Sequence, residues 1–266
     1  MPLSNNSLDM NKEHKLGLTL SGGGVKGFAH AGALMAMEEF GLKPDIISGT
    51  SAGAIVGALY SSGQSPDDIR KIFKAKYFNS FVELTIPKRG LFGTADFVRF
   101  LKDNIQAETF EDLKIPLYAV ATDFDHGKSV VFSTGELCKR IMASACVPVF
   151  FNPIEIDGVH YVDGGIFRNF PVSVIRESCE KVIGINVSPL ISQKYSKTIV
   201  GVAERSYHLM FRANTVEDKR LCDILIEVEQ AMQYRLYDFR KVDVIFKLGY
   251  DAMKQALQNQ IKTLAE

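Results

Sequence analysis

Twice within its first 62 residues the chain runs from a short apolar strand through a glycine-rich turn straight into an apolar helix. Leu16 to Leu20 lead into Ser21-Gly22-Gly23-Gly24-Val25-Lys26-Gly27 and then a helix from Phe28 to Phe40, for which Gly41 fits as C-terminal cap. Asp45 to Ser48 lead into Gly49-Thr50-Ser51-Ala52-Gly53 and then a helix rich in small residues over 52 to 62. Strands separated by helices pair parallel, with the helices packed on the faces of the sheet. The chain is therefore expected in the α/β class.

The remaining sequence continues the alternation. Ser65 caps a helix opened by Pro66, with Asp67 and Asp68 in its first turn, running to about Lys76. Thr94 caps another, to about Asn104. Leu117 to Thr122 and Ser129 to Phe132 read as strands around the hairpin turn Asp125-His126-Gly127-Lys128. A helix over Glu136 to Ala145 precedes two short strands flanking Asp157-Gly158. Pro171 opens a helix, Val182 to Val187 is a strand, and residues 200 to 220 are helical. Asp223 to Val228 and Val242 to Phe246 read as strands, with a closing helix from Tyr250 to Leu264. The hairpins add antiparallel pairing, so the expected architecture is a three-layer α/β/α fold around a mainly parallel, mixed central sheet. No linker, repeat or low-complexity segment interrupts it, which implies one domain over residues 15–266 behind a flexible tail of residues 1–14.

Hydrophobic residues make up 46% of the chain, enough for a full core. Lys plus Arg and Asp plus Glu are both 31, so the basic footprint of a nucleic-acid partner is absent. An apolar substrate pocket needs no net charge. Cys138, Cys146, Cys179 and Cys222 form no Cys-x-x-Cys pair and no zinc spacing, which reads as buried free thiols in a reducing compartment and no metal. The polar N-terminus lacks a signal-peptide core, and no run of about 18 apolar residues marks a membrane span. A cytoplasmic location is expected, with peripheral membrane contact left open.

Backbone N–H groups at a helix N-terminus favour an anion, and glycines let it approach closely. The loop over Gly22, Gly23, Gly24 and Gly27 could therefore hold a dinucleotide pyrophosphate, a nucleotide phosphate or a tetrahedral oxyanion. Phe28 stands where a P-loop needs Lys after the glycine, which removes the nucleotide phosphate. Gly22, Gly24 and Gly27 match G-x-G-x-x-G, but Asp45, the acid a dinucleotide site wants, begins its strand rather than ending it. The dinucleotide and oxyanion readings both stay open on the loop alone, beside an ordinary tight turn.

Gly49-Thr50-Ser51-Ala52-Gly53 matches G-x-S-x-G between a strand and a helix, the context of a nucleophile elbow. A serine hydroxyl needs a base to take its proton. Among His14, His30, His126, His160 and His208, a Ser–acid–His order fits Ser51, Asp163 and His208, or Ser51, Asp123 and His160, and similar sets. Asp163-Gly164-Gly165 ends a hairpin strand, and a buried aspartate can take a serine proton directly, although most such triplets are ordinary turns.

Taken together, Gly22-Gly23-Gly24-Val25-Lys26-Gly27, Gly49-Thr50-Ser51-Ala52-Gly53 and Asp163-Gly164-Gly165 resemble the three blocks of the patatin-like phospholipases. Ala143-Ser144-Ala145-Cys146-Val147-Pro148-Val149-Phe150 and Asn169-Phe170-Pro171 resemble two more. The blocks are ordered over residues 16 to 171, and the last 80 residues match loosely; the flavour is that of the bacterial group related to neuropathy target esterase. The resemblance implies a patatin-like fold and a lipid acyl hydrolase without cofactor or metal. It implies a Ser51–Asp163 dyad, an oxyanion hole at Gly22, Gly23 and Gly24, and a supporting loop of Lys26, Gly27, Gly49, Gly53, Gly164 and Gly165. Many members carry Asp where Ser21 stands. Two rivals remain: a triad esterase using His208, and a non-catalytic module binding a dinucleotide or an acyl group. Residues 78–93, rich in Phe78, Phe81, Leu84 and Phe92 around Lys88 and Arg89, either line an acyl pocket, touch lipid, or simply cover the core.

Overall fold

The computed structural model describes residues 12–74, 94–148, 150–189, 195–234 and 239–265, without the side chains of 200, 203, 204, 207, 208, 212, 213 and 262–265. Its strands are β1 (His14–Leu20), β2 (Ile46–Thr50), β3 (Leu117–Asp123), β4 (Lys128–Phe132), β5 (Ile154–Ile156), β6 (Val159–Asp163), β7 (Cys179–Asn186) and β8 (Ile224–Glu227). The helices are α1 (Phe28–Glu39), α2 (Ala52–Ser61), α3 (Pro66–Lys74), α4 (Thr94–Asn104), α5 (Leu137–Ala145), α6 (Ile199–Arg220) and α7 (Val242–Ala265). The sheet runs β5-β6-β3-β2-β1-β7-β8, with β4 hairpinned onto β3. β3, β2, β1, β7 and β8 pair parallel, whereas β4, β5 and β6 pair antiparallel. This is the mixed α/β sheet expected from the alternating sequence. β1 already begins at His14, and residues 1–11 lie outside the described part.

β1 along its second half and all of β2 are buried on both faces, as parallel strands covered by helices are. One face carries the larger core, built from α1 to α5 and α7; on the other, Phe170, Val172 and Ile175 pack against Ile46 and Val182. Every residue of α2 is buried, which explains its small apolar side chains: a helix hidden all round has no polar stripe to display.

Two expected elements differ. Val242 to Phe246 is the first turn of α7 rather than a strand. A mostly apolar run of five residues has no decisive period. Its buried members Val242, Ile245 and Phe246 continue through Met253 and Leu257 at helical spacing, while Val244 is exposed. The stretch after Pro171 forms two 3-10 turns, Val172–Val174 and Arg176–Ser178, rather than a helix. There the Asp218 carboxylate takes the Ser173 N–H at 2.6 Å, and the chain reaches β7 at Cys179 without room for a full helix.

The registers around β3 set where the strands end. On one edge β4 pairs with Ala119 to Asp123. On the other, β2 pairs as far as Thr50 opposite Val120, and β6 arrives from the opposite direction, ending at Asp163 opposite Ala121. Two strands thus meet end to end along a single edge, about one residue of strand rise apart, ~3.3 Å. Neither can continue, so Ser51 and Gly164 both leave the sheet there.

α1 and α7 cross so closely that they touch through backbone. A methyl at Gly32 would strike the Phe246 carbonyl and lie 2.9 Å from Tyr250 N; one at Gly249 would strike the Ala29 carbonyl. Gly249→Ala should therefore destabilise the fold by about 1–3 kcal/mol, although helix propensity alone would favour alanine by about 1 kcal/mol. Urea unfolding checks this; a variant as stable as the parent or more so would refute the crossing.

Candidate active site

Ser51 caps α2 with φ 54 and ψ −121. That conformation costs a non-glycine residue about 1–3 kcal/mol and is held only by its surroundings. Its N–H donates to Ser144 Oγ at 2.9 Å, and the Ser144 hydroxyl donates to the Val120 carbonyl at 2.6 Å. Ser144 therefore ties the elbow to the residue of β3 beside which β2 ends. The neighbouring Thr50 hydroxyl donates to Arg168 O at 2.8 Å. Ser51 is 6% exposed, at the floor of the site rather than on the surface.

The elbow packs directly on the end of β1. A methyl on Gly53 would run into the Leu20 carbonyl and lie 2.8 Å from Ser21 O; one on Gly27 would lie 2.6 Å from Ala52 Cβ. These close approaches set the glycine loop against the elbow, so that a methyl on Gly22 would stand 3.3 Å from Ser51 Cβ. The loop enters a 3-10 turn, Gly24–Gly27, which passes straight into α1. Lys26 is buried within that turn, and its N–H donates to Gly23 O at 3.3 Å. Gly24 takes φ 57, a left-handed conformation suited to glycine. The Gly22 N–H already donates to the Asn169 carbonyl at 2.9 Å. Among the described residues no acceptor engages the N–H of Gly23 or Gly24.

Asp163 is fully buried. Its Oδ1 accepts the Gly165 N–H at 2.7 Å, its own N–H donates to Cys146 O at 2.8 Å, and the Thr122 hydroxyl donates to its carbonyl at 2.9 Å. A methyl on Gly164 would collide with the Val120 carbonyl, so this turn presses against the same β3 residue that anchors the elbow. The structure thus brings Ser51, Asp163 and the glycine loop to one place.

The histidines are distributed differently. His126 bonds Asp123 at 2.9 Å and His160 bonds Asp125 at 3.1 Å, both at the hairpin end of the sheet. His208 lies on α6, and its side chain is outside the described part, as are residues 78–93. His30 is buried beneath the glycine loop, with Nε2 donating to the Ser21 carbonyl at 2.8 Å. Burial pushes this imidazole down to about 4, only partly opposed by that bond. On the loop's other side the Ser21 hydroxyl accepts Val187 N–H at 3.0 Å. Asp45 holds the N–H groups of Lys15 and Leu16 at 3.0 and 2.8 Å, at the end of the strands away from the loop, out of reach of anything bound on it. The four thiols are free; Cys138, Cys146 and Cys179 are buried and Cys222 half-buried. An open polar cleft of about 390 Å³ between α3 and α4, lined by Gln64, Lys71 and Asp103, has no lining residue among these site groups.

Ser144 and Asn169 stand inside the motif blocks, but His30 and Asn214 carried no signal of a role. Asn214 accepts the Asn169 N–H at 3.0 Å and donates to the carbonyls of Gly165 and Ile166 at 2.9 and 3.1 Å.

Because His30 titrates below its unfolded value of 6.5, the unfolded chain takes the proton first. Its contribution to stability is complete above pH 6.5 and is lost as pH falls towards about 4, at up to about 1.4 kcal/mol per pH unit. Urea titrations of the parent and His30→Gln at several pH values should show their stability difference changing across that window and flat above it. A difference flat throughout would contradict the buried neutral imidazole.

The profile of the patatin-like phospholipases matches residues 18–175, more than half of the chain. Patatin-like phospholipase domain-containing protein 6 of Mus musculus is 29% identical over 245 residues, covering 88% of this chain and 18% of its own length. An uncharacterized NTE family protein of Mycobacterium bovis is 32% identical over 163 residues, covering 60% of this chain and 45% of its own. The chain thus spans less than half the length of either relative. Among solved structures, VipD from Legionella pneumophila superposes with a TM-score of 0.53 at 17% identity, over 93% of this chain and 67% of that one, a likeness of fold. With its motif blocks gathered at one point of a matching fold, the chain belongs to the patatin-like phospholipase family, among relatives of the neuropathy target esterase group.

Proposed function

We propose that the chain is a lipid acyl hydrolase that cleaves fatty-acyl ester bonds through an acyl-enzyme on Ser51. The observation that carries this reading is the convergence at the β3 edge. A strained serine elbow and a buried aspartate leave the sheet at one point, beside two glycine-loop N–H groups that no acceptor engages among the described residues. Asp163 takes the proton of Ser51 as Oγ attacks the ester carbonyl. Its Oδ1 is held by Gly165 N–H, which orients the carboxylate for the transfer. The N–H groups of Gly23 and Gly24, at the start of the turn into α1, receive the oxyanion, aided by the positive end of the helix. Gly22, whose N–H is committed to Asn169, serves instead as the close-contact residue beside Ser51. The alkoxide leaves with the proton held by Asp163. A water molecule, deprotonated by the same carboxylate, then releases the fatty acid and restores Ser51.

The names of the relatives, phospholipase and esterase, support a lipid ester as substrate. The space a Cβ would need at Gly22 is filled by Asn169 Oδ1, which supports an oxyanion rather than a bulky dinucleotide phosphate on this loop.

Fatty-acid release from a panel of phospholipids, lysophospholipids and neutral esters tests the reading. Ser51→Ala should abolish it, and Asp163→Asn should lower kcat by at least the 100- to 1000-fold typical of losing a key polar group, about 3–4 kcal/mol. His208→Ala should remain active. Near-normal turnover in Asp163→Asn with an inactive His208→Ala would replace the dyad by a triad, and no turnover of any ester would remove the enzyme reading.

A further inference from the structure

We infer that Asn214, on α6 and beyond the motif blocks, is a positioning residue that locks the Asp163 turn and the glycine loop into one geometry. This rests on the acyl-hydrolase reading above. The side-chain amide has one acceptor and two donors, and it engages backbone of the site with both kinds of group. Oδ1 accepts the Asn169 N–H, and Nδ2 donates to Gly165 O and Ile166 O. Each contact leads one step further inward. Gly165 donates its N–H to Asp163 Oδ1. Asn169 receives the Gly22 N–H on its carbonyl and reaches Gly22 O with Nδ2 at 3.4 Å. One amide therefore connects the residue that orients the base with the residue that anchors the oxyanion loop.

The chemistry requires an amide. Three bonds to groups of fixed polarity set its orientation, because a flipped amide would oppose donor to donor and acceptor to acceptor. A carboxylate at this position would keep the Asn169 bond but face two carbonyl oxygens. A leucine would strand one N–H and two carbonyls, although asparagine is itself a poor residue for the interior of a helix. Phe211, one turn earlier, packs so tightly on the same segment that a methyl at Gly165 would strike its ring. The seating of α6 does not depend on Asn214 alone, since Asp218 one turn later takes the Ser173 N–H outside both site loops.

If Asn214 acts through geometry, its loss weakens transition-state stabilisation rather than substrate binding. Small displacements of reacting groups cost up to about 100-fold. With a water-soluble p-nitrophenyl ester, Asn214→Asp and Asn214→Ala should lose about 10- to 100-fold in kcat with KM within about twofold. The acid limb of the kcat profile should also move to higher pH, because a loosened Gly165 N–H no longer favours the ionised carboxylate. Asp218→Ala is the comparison: it should lower the melting temperature and leave the acid limb where it is. Should Asn214→Ala not fold, the near-isosteric Asn214→Asp carries the test. Wild-type kcat and acid limb in Asn214→Asp, or a lowered melting temperature with the limb unmoved, would overturn the inference while leaving the hydrolase reading intact. A wild-type protein inert to all esters would overturn both.

Discussion

The end-to-end meeting of β2 and β6 on one edge of β3 dictates the geometry of the site. A parallel strand arriving at Val120 and an antiparallel strand arriving at Ala121 cannot both go on. Each must turn sharply out of the sheet, β2 at Ser51 and β6 directly after its last residue, Asp163. Sheet ends leave backbone groups to be satisfied by side chains, and an unmet buried carbonyl or N–H costs about 1–3 kcal/mol. Ser144 meets two of them at once, the Val120 carbonyl and the Ser51 N–H. The strain at Ser51 is held in place by these bonds at the sheet's edge.

The glycine loop is held by the same means from three sides. His30 supports the Ser21 carbonyl from below, the Ser21 hydroxyl takes Val187 N–H from β7's exit, and Asn169 engages both polar groups of Gly22. These bonds engage the loop up to Gly22 and stop there. The N–H groups of Gly23 and Gly24 remain without an acceptor among the described residues, at the positive end of the turn that becomes α1. His30 beneath the loop is neutral for the reason of its burial alone, which disfavours an imidazolium, and it serves there as a hydrogen-bond donor to the Ser21 carbonyl.

The three glycine motifs were legible in the sequence because each marks a place where backbone must approach backbone or a side chain closely, and only glycine permits that. Gly53 against Leu20 and Gly164 against Val120 are the clearest cases. The parallel core was legible for a related reason: short apolar strands joined by helices leave few arrangements. The meeting of β2 and β6 was not, since it depends on two independent registers against β3, one between residues 70 positions apart and one between residues 38 to 42 apart. Ser144 stands out only as a member of its block, and nothing in its neighbours discloses that its hydroxyl bridges the elbow to β3. Asn214 looks like any polar residue of an amphipathic helix until its three backbone partners are seen. The run Val242 to Phe246 misled for the opposite reason: a short, mostly apolar stretch suits a strand or a helix, and only the next three turns decide.

Whether Ser51 is a nucleophile activated by Asp163 at the β3 edge can be read directly by treating the protein with a fluorophosphonate probe and mapping the adduct by peptide mass. A single adduct on Ser51 is expected in the parent, with labelling slowed by at least about 100-fold in Asp163→Asn. An adduct on another residue, or Asp163→Asn labelled at the parent's rate, would contradict the dyad at this edge.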